Sequence, residues 1–192
     1  MALIEIVPYD PRWPEEFQRV AAPLREALGD LALRIHHIGS TSVPGLPAKD
    51  IIDVQVTVAA LDQAEIAARL APLGYVWRDD ITGDHVPPAW QGDPAQWSKM
   101  FFRPPAASRP TNTHIRVLGA ANQRYAVLFR DFLRHDPVST GAYAQIKFAL
   151  ARLHPDDMQA YYDIKDPACD LIMAAAECWA AATGYEQGPT DA

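Results

Sequence analysis

HHIGSTSVPGLPAKDIIDVQV, residues 36–56, is the stretch on which the fold turns. Its second half is the clearest strand in the chain. Ile52, Val54, Val56 and Val58 line one face, and Ile51, Asp53, Gln55 and Thr57 line the other. A carboxylate in mid-strand is costly unless it is partnered, hydrated or bound to a metal. The first half is a turn. Gly39 allows close backbone approach, Ser40, Thr41 and Ser42 bring hydroxyls, and amides opening a short helix there would suit a phosphate. Two plainer readings stay open: a hydroxyl-capped turn, and a wet outer sheet face.

Upstream, residues 9–30 show helical periodicity. Phe17, Val20, Ala21, Leu24 and Leu28 share a face, Asp10 suits a cap, Pro11 suits a first turn, Gly29 an end, and Pro23 is a candidate kink. LALRIHHI alternates as a strand. Downstream, LDQAEIAARLAPLG reads as a short helix closed by Gly74, and residues 80–96, with Pro87, Pro88 and Pro94, read as a loop. WSKMFFR and THIRVL read as strands. From Asn122 four consecutive helical pieces are expected, the last two being PDDMQAYYDIK and DPACDLIMAAAECWAAATG. Strands and helices followed by helices alone predict an α+β fold. The expected units are a core over 1–120, a C-terminal helical part over 121–185 and a disordered tail over 186–192.

The chain has 192 residues and a formal net charge of -7, which argues against a general nucleic-acid-binding surface. No apolar run approaches the roughly 20 residues that span a bilayer, and the N-terminus lacks a signal-sequence pattern. No membrane partner and a cytoplasmic setting are therefore expected. Cys169 and Cys178 fall in an Ala-rich segment without zinc spacing, and read as buried helix thiols. The apolar run from Leu171 to Ala182 reads as a buried helix or a self-association surface.

A Gly-Ser turn separated by twelve residues from a strand aspartate, Ser40 to Asp53, resembles the nucleotidyltransferase superfamily, in which the turn binds triphosphate and a strand Asp-x-Asp binds magnesium. The wider run HIGSTSVPGLPAKDIID is similar to the GrpB family, a branch with the nucleotidyltransferase fold. The likeness continues through FFRP, THIRV, LFRDFLR, AYAQIKFALA and YYDIK, over about residues 9 to 175. It implies a nucleotidyltransferase-like mixed sheet flanked by helices, with a C-terminal helical bundle. It also implies that Lys147 and Lys165 reach a cleft between sheet and helices. Three positions depart from the pattern. Gln55 stands where the superfamily has a second acid, Arg116 where the family has histidine, and Asp50 where it has proline.

If the three polar strands are neighbours, their polar faces set Asp53 and Gln55 beside Lys99, Arg103, His114 and Arg116. One carboxylate would then face three full positive charges, with His37 and Lys49 as additions. That is the chemistry of an anion site rather than of a two-magnesium site. Two functions follow. In the first, a nucleoside triphosphate binds at Gly39, Ser40, Thr41 and Ser42, Mg2+ sits on Asp53, and Asp53, Lys99 and Arg116 carry a nucleotidyl transfer, with Arg103 helping to hold phosphate or acceptor. In the second, the chain is a non-catalytic module for a nucleotide, a CoA-like phosphate or another phosphate-bearing small molecule. A metal site of His37, His114 and Asp53 is a third reading. A serine nucleophile at Ser40 or Ser42 would need His37 folded back as its base.

Overall fold

The structure is a computed structural model that describes residues 3–192. Five strands form one mixed sheet: β1 (Arg34–Ile38), β2 (Ile52–Val58), β3 (Val76–Trp77), β4 (Met100–Arg103) and β5 (Thr111–Val117). Their spatial order is β1-β2-β5-β4-β3. The central pair β2 and β5 is parallel, and the other neighbours are antiparallel. Helix α1 (Trp13–Leu28) precedes the sheet, α2 (Gln63–Leu70) follows β2, and α3 (Ala121–His135), α4 (Pro137–Leu153) and α5 (Met158–Thr183) complete the chain. The architecture is α+β, as the element order predicts.

Alternation on β2 decides which layer covers which face. Ile52, Val54 and Val56 join Met100, Phe102 and Ile115 against Trp13, Phe17 and Leu24 of α1 and Ile66 and Leu70 of α2. Each such fully buried large side chain contributes roughly 1.5–3 kcal/mol relative to exposure. The opposite face, with Asp53 and Gln55, looks toward the C-terminal helices. It is not the wet face that a plainer reading allowed, since Gln55 and Thr57 are fully buried.

The helix ends follow local chemistry. Asp62, Asp136 and Asp157 cap α2, α4 and α5 by accepting first-turn backbone N–H groups. Asp10 does not cap α1; its carboxylate accepts from Arg12 two residues on, and Pro14 occupies the first turn. Pro23 lies inside an unbroken α1. The last two of the expected four helical pieces are one 26-residue helix with Pro167 inside it.

Two surfaces differ from expectation. The segment expected to be a disordered tail lies along the free edge of β1. Ile35 N–H donates to Thr190 Oγ1 at 2.8 Å, His37 N–H donates to Asp191 Oδ2 at 2.9 Å, and Arg130 reaches the same carboxylate at 2.6 Å. The tail thereby supplies acceptors for N–H groups that an edge strand otherwise offers to water or to another chain. The Ala-rich part of α5 is buried only at Met173, Ala176 and Ala180, while Leu171 is 77% exposed, and of the two thiols only Cys169 is buried. Among the described residues no helix is long and apolar enough to cross a membrane.

Candidate functional site: a cleft between sheet and helices

A cleft of about 480 Å³ opens between the polar sheet face and α3, α4 and α5. Register sets its floor. Asp53 of β2 lies beside Asn112 of β5, Gln55 beside His114, and Phe101 of β4 beside His114 on the other side. The three polar strands are thus neighbours, and Asn112 extends the polar face one step below His114.

Gly39 shapes the turn at one end. Its φ of 68° and ψ of -173° belong to a region essentially confined to glycine. A Cβ there would lie 2.3 Å from Asp53 Oδ2, so the turn backbone rests against the carboxylate. The helix expected after the turn is one 3-10 turn, Ser40–Ser42. The N–H groups of Ser42 and Val43 already bond the carbonyls of Gly39 and Ser40. The turn therefore offers no helix N-terminus of useful length to an anion. Ser42 Oγ donates to Gly39 O at 2.5 Å, and Arg134 of α3 binds Ser42 O through two N–H groups at 3.0 and 2.8 Å. Ser40 and Thr41 line the cleft, whereas Ser42 braces the turn from behind.

Asp53 accepts the Asn112 amide at 2.7 Å, and His114 Nε2 stands 3.9 Å from the same oxygen. Burial works against its charge, but His114 and Asn112 outweigh it and hold the carboxyl below the ordinary carboxylate range. The tautomer of His114 follows from its other nitrogen. Arg116 Nη2 lies 3.3 Å from His114 Nδ1, and a guanidinium only donates, so Nδ1 accepts and Nε2 carries the proton. Burial, with Arg116 adding to it, pushes the imidazole down to about 4, so it is neutral at pH 7.

The expected charge balance of the floor is corrected by a residue from the loop at 80–96. Asp84 accepts from Lys99 at 2.6 Å, from Arg116 Nε and Nη2 at 2.8 and 3.0 Å, and from the Asn122 amide at 3.0 Å. Burial opposes its charge, yet Arg116 and Lys99 hold it far below the carboxylate range. Arg116 also donates to Gln55 Oε1 at 2.7 Å, and Gln55 Nε2 donates to Gln123 O at 3.2 Å. Lys99 and Arg116 are therefore neutralised at the base of the cleft rather than free for a ligand. No short-range pattern marks Asp84 in the sequence. Asn112 was legible: the alternation that selects His114 and Arg116 selects it as well.

His37 is turned away from the cleft. Position 37 pairs with Val54, so its ring falls on the apolar face, stacked on Phe17 at 4.8 Å. Its Nε2 meets Thr41 Oγ1 at 3.0 Å, and Thr41 Oγ1 donates to Ile51 O at 3.3 Å. Burial lowers its pKa to about 4. Neither the His37–His114–Asp53 metal site nor a His37–serine pair forms. Asp50 is also on the far side, bound to Trp13 Nε1 at 2.8 Å and to Arg109.

The uncompensated cations stand on the other walls. Arg103 is exposed at the rim, with Asn112 Oδ1 2.5 Å away and the Phe101 ring at 5.0 Å. Lys49 lies over the rings of Tyr161 and Tyr162 at 5.0 and 5.4 Å. Lys147 of α4 lies over Tyr143 at 4.7 Å and donates to Pro47 O. Among the described residues, none of these three has a carboxylate within ion-pair distance. Lys165 does, with Asp166 at 2.6 Å. Arg130 is buried, pairs with its neighbour Asp131 on α3, and fastens that helix to Asp191 and His37 O.

Magnesium does not fit this donor set. Asp53 is a single carboxylate with one oxygen already accepting an amide, Gln55 is tied to Arg116 and Gln123, and β5 adds no acid. Among the described residues no group of three or more His, Cys, Asp and Glu side chains is placed to hold a metal ion.

A mixed sheet with a Gly-Ser turn against a strand aspartate, and helices across a cleft, defines a nucleotidyltransferase-like fold. The fold is shared with an RNA terminal U-transferase, at a TM-score of 0.50 and 13% identity over 76% of this chain and 42% of that one. Within that class the chain belongs to the GrpB family, whose description, GrpB protein, matches residues 3–175. The crystal structure of the conserved protein GrpB from Enterococcus faecalis aligns at a TM-score of 0.74 and 28% identity, covering 91% of this chain and 99% of that one. A dephospho-CoA kinase of Mycolicibacterium paratuberculosis is 38% identical over 96% of this chain and 49% of its own length. A UPF0157 protein of Pseudomonas aeruginosa is 37% identical over 90% of this chain and 67% of its own. The chain thus spans about half the length of the first of these curated relatives.

Proposed function

We propose that the cleft binds a nucleotide or another phosphate-bearing small molecule without a metal ion, and that the chain acts as a binding module. The observation that carries this reading is the sorting of charge. Asp84 neutralises Lys99 and Arg116, while Lys49, Lys147 and Arg103 face the same space with no carboxylate within ion-pair distance among the described residues. Cations left uncompensated around a cleft attract a polyanion, and ammonium and guanidinium groups make strong charge-assisted bonds to phosphate oxygens. The tyrosines beneath the lysines supply apolar surface for the rest of a ligand.

Calorimetric titration of nucleoside triphosphates, CoA and dephospho-CoA, with and without magnesium, tests this reading. The CoA compounds are included because a 38% identical relative is a dephospho-CoA kinase. Binding is expected without magnesium and is expected to survive in Asp53→Ala. Lys49→Met and Arg103→Met should each weaken it about five- to tenfold, or ~1–1.4 kcal/mol. Binding that requires magnesium and disappears in Asp53→Ala would overturn the reading.

A second reading, nucleotidyl transfer to an acceptor, is favoured by one observation: Gly39 is seated against Asp53, so the Gly-Ser turn and the strand aspartate meet in one place. Its test is release of pyrophosphate from a nucleoside triphosphate on mixing with candidate acceptors. Release that is absent in Asp53→Ala would establish it.

A further inference from the structure

The least conventional of these cations is Lys147. Its side chain is only 2% exposed, its amine bonds one backbone carbonyl, Pro47 O, and it still lines the cleft. We propose that Lys147 is the proton-accepting residue of the anion site: its buried amine, held by a single backbone carbonyl, takes up a proton when a dianion enters the cleft, so that ligand and proton are taken up together. The proposal rests on the anion-binding reading above and adds to it a specific linkage.

Few of the groups facing Lys147 offer it counter-charge. From its own helix comes Tyr143, whose phenol is pushed well up by burial and stays neutral. From α5 come Tyr161, raised to about 12 mainly by burial, and Cys169, whose thiol burial also raises. Both are neutral at neutral pH, so Cys169 counters the effect of burial only where its thiol ionises. Asp166 of α5 is engaged by Lys165 at 2.6 Å, so that pair presents the ammonium of Lys165 as a like charge. The segment before β2 brings Lys49, a second like charge. Asp53 of β2 is the remaining carboxylate acting on it, and that group is engaged by Asn112. Burial first, and the two lysines with it, lower Lys147 to about 7, against an opposing effect from Cys169.

A bound dianion replaces missing solvation and missing counter-charge at once. It raises the affinity of Lys147 for a proton, and the nitrogen lone pair takes that proton from solvent. The sign follows. Above about pH 7 each bound dianion imports up to one proton, so affinity falls up to about tenfold per pH unit until the pKa of the bound state is passed. Below about pH 7 the amine is already charged and this dependence flattens. Lys147 thereby biases the cleft toward ligands that bring two negative charges to one point.

Sulfate is the suitable probe, because it is a dianion with no proton of its own to exchange near neutrality. Its binding enthalpy is measured at about pH 8 in two buffers of different ionisation heat, whose difference gives the protons taken up. Wild type is expected to take up close to one proton at about pH 8 and close to none at about pH 6. Lys147→Met should bind more weakly with no uptake, and Lys49→Met should keep an uptake that is shifted to higher pH, because Lys147 has lost a like charge. Buffer-independent heat in wild type overturns the role of Lys147 while leaving the anion site standing, and needs no variant to fold. Equal uptake in Lys147→Met overturns it as well. No sulfate binding at any pH overturns the anion site and this inference together.

Discussion

Asp84→Asn is expected to lower the stability of the protein by about 3–5 kcal/mol, the range for removing one partner of a buried ion pair. The substitution keeps shape and removes charge. Lys99 and Arg116, 8% and 6% exposed as side chains, would keep theirs with no carboxylate beside them. Asn122 would lose an acceptor as well. Urea unfolding measures the loss, and a cost below ~1 kcal/mol would show that water replaces the carboxylate. Removing the orphaned charges with it, in Asp84→Asn with Lys99→Met, should recover part of the loss. Acid tests the same cluster. A carboxyl held far below its usual value when folded stabilises the native state fully above about pH 4 and loses that contribution as pH falls further, because the unfolded chain takes up the proton first. Asp84→Asn should therefore flatten the acid limb of the stability curve, since its stabilising charge is already gone.

The contrast between Asp84 and Asp53 shows how far the sequence carries. Asp53 was legible because it interrupts a period-two apolar pattern behind a Gly-Ser turn, and local pattern is what strand geometry imposes. The same alternation put Gln55, His114 and Arg116 on one polar face, and it selects Asn112 too. His37 was misassigned for a related reason. Its parity on β1 depends on the register with β2, which the turn between them sets. Asp84 sits in a Pro-rich loop without periodicity, and only tertiary structure brings it under Lys99 and Arg116. The wide separation also explains the lysines. Lys49, Lys147 and Lys165 come from three separate segments, and resemblance to a family brought Lys147 and Lys165 toward the cleft where spacing alone makes them ordinary surface residues. The ordered tail was missed because its composition resembles a flexible end, while its acceptors are matched to the free N–H groups of β1.

Gly39→Ala is the other large effect, and it separates backbone from side chain at the centre of the site. The alanine would have to hold φ near 68° with ψ near -173°, at a strain of ~1–3 kcal/mol. Its Cβ would also meet Asp53 Oδ2 at 2.3 Å and Asp53 Cβ and Cγ at 2.9 Å, an overpacking that adds ~1–3 kcal/mol. A total of about 2–6 kcal/mol is expected in chemical unfolding, with loss of ligand binding as the turn moves off the carboxylate. The two contributions can be parted. In an Asp53→Ala background the collision with Oδ2 and Cγ is relieved, whereas the close contact with the Cβ of residue 53 and the backbone strain remain. Gly39→Ala should then cost ~1–3 kcal/mol less than in wild type, a coupling measured by the double-mutant cycle. Full additivity would mean that the turn tolerates a Cβ by shifting away from β2, and that Gly39 is required for its dihedral angles alone. A coupling of the expected size makes the glycine a requirement of Asp53: the turn backbone lies so close to the carboxylate that only a residue without a Cβ fits between them.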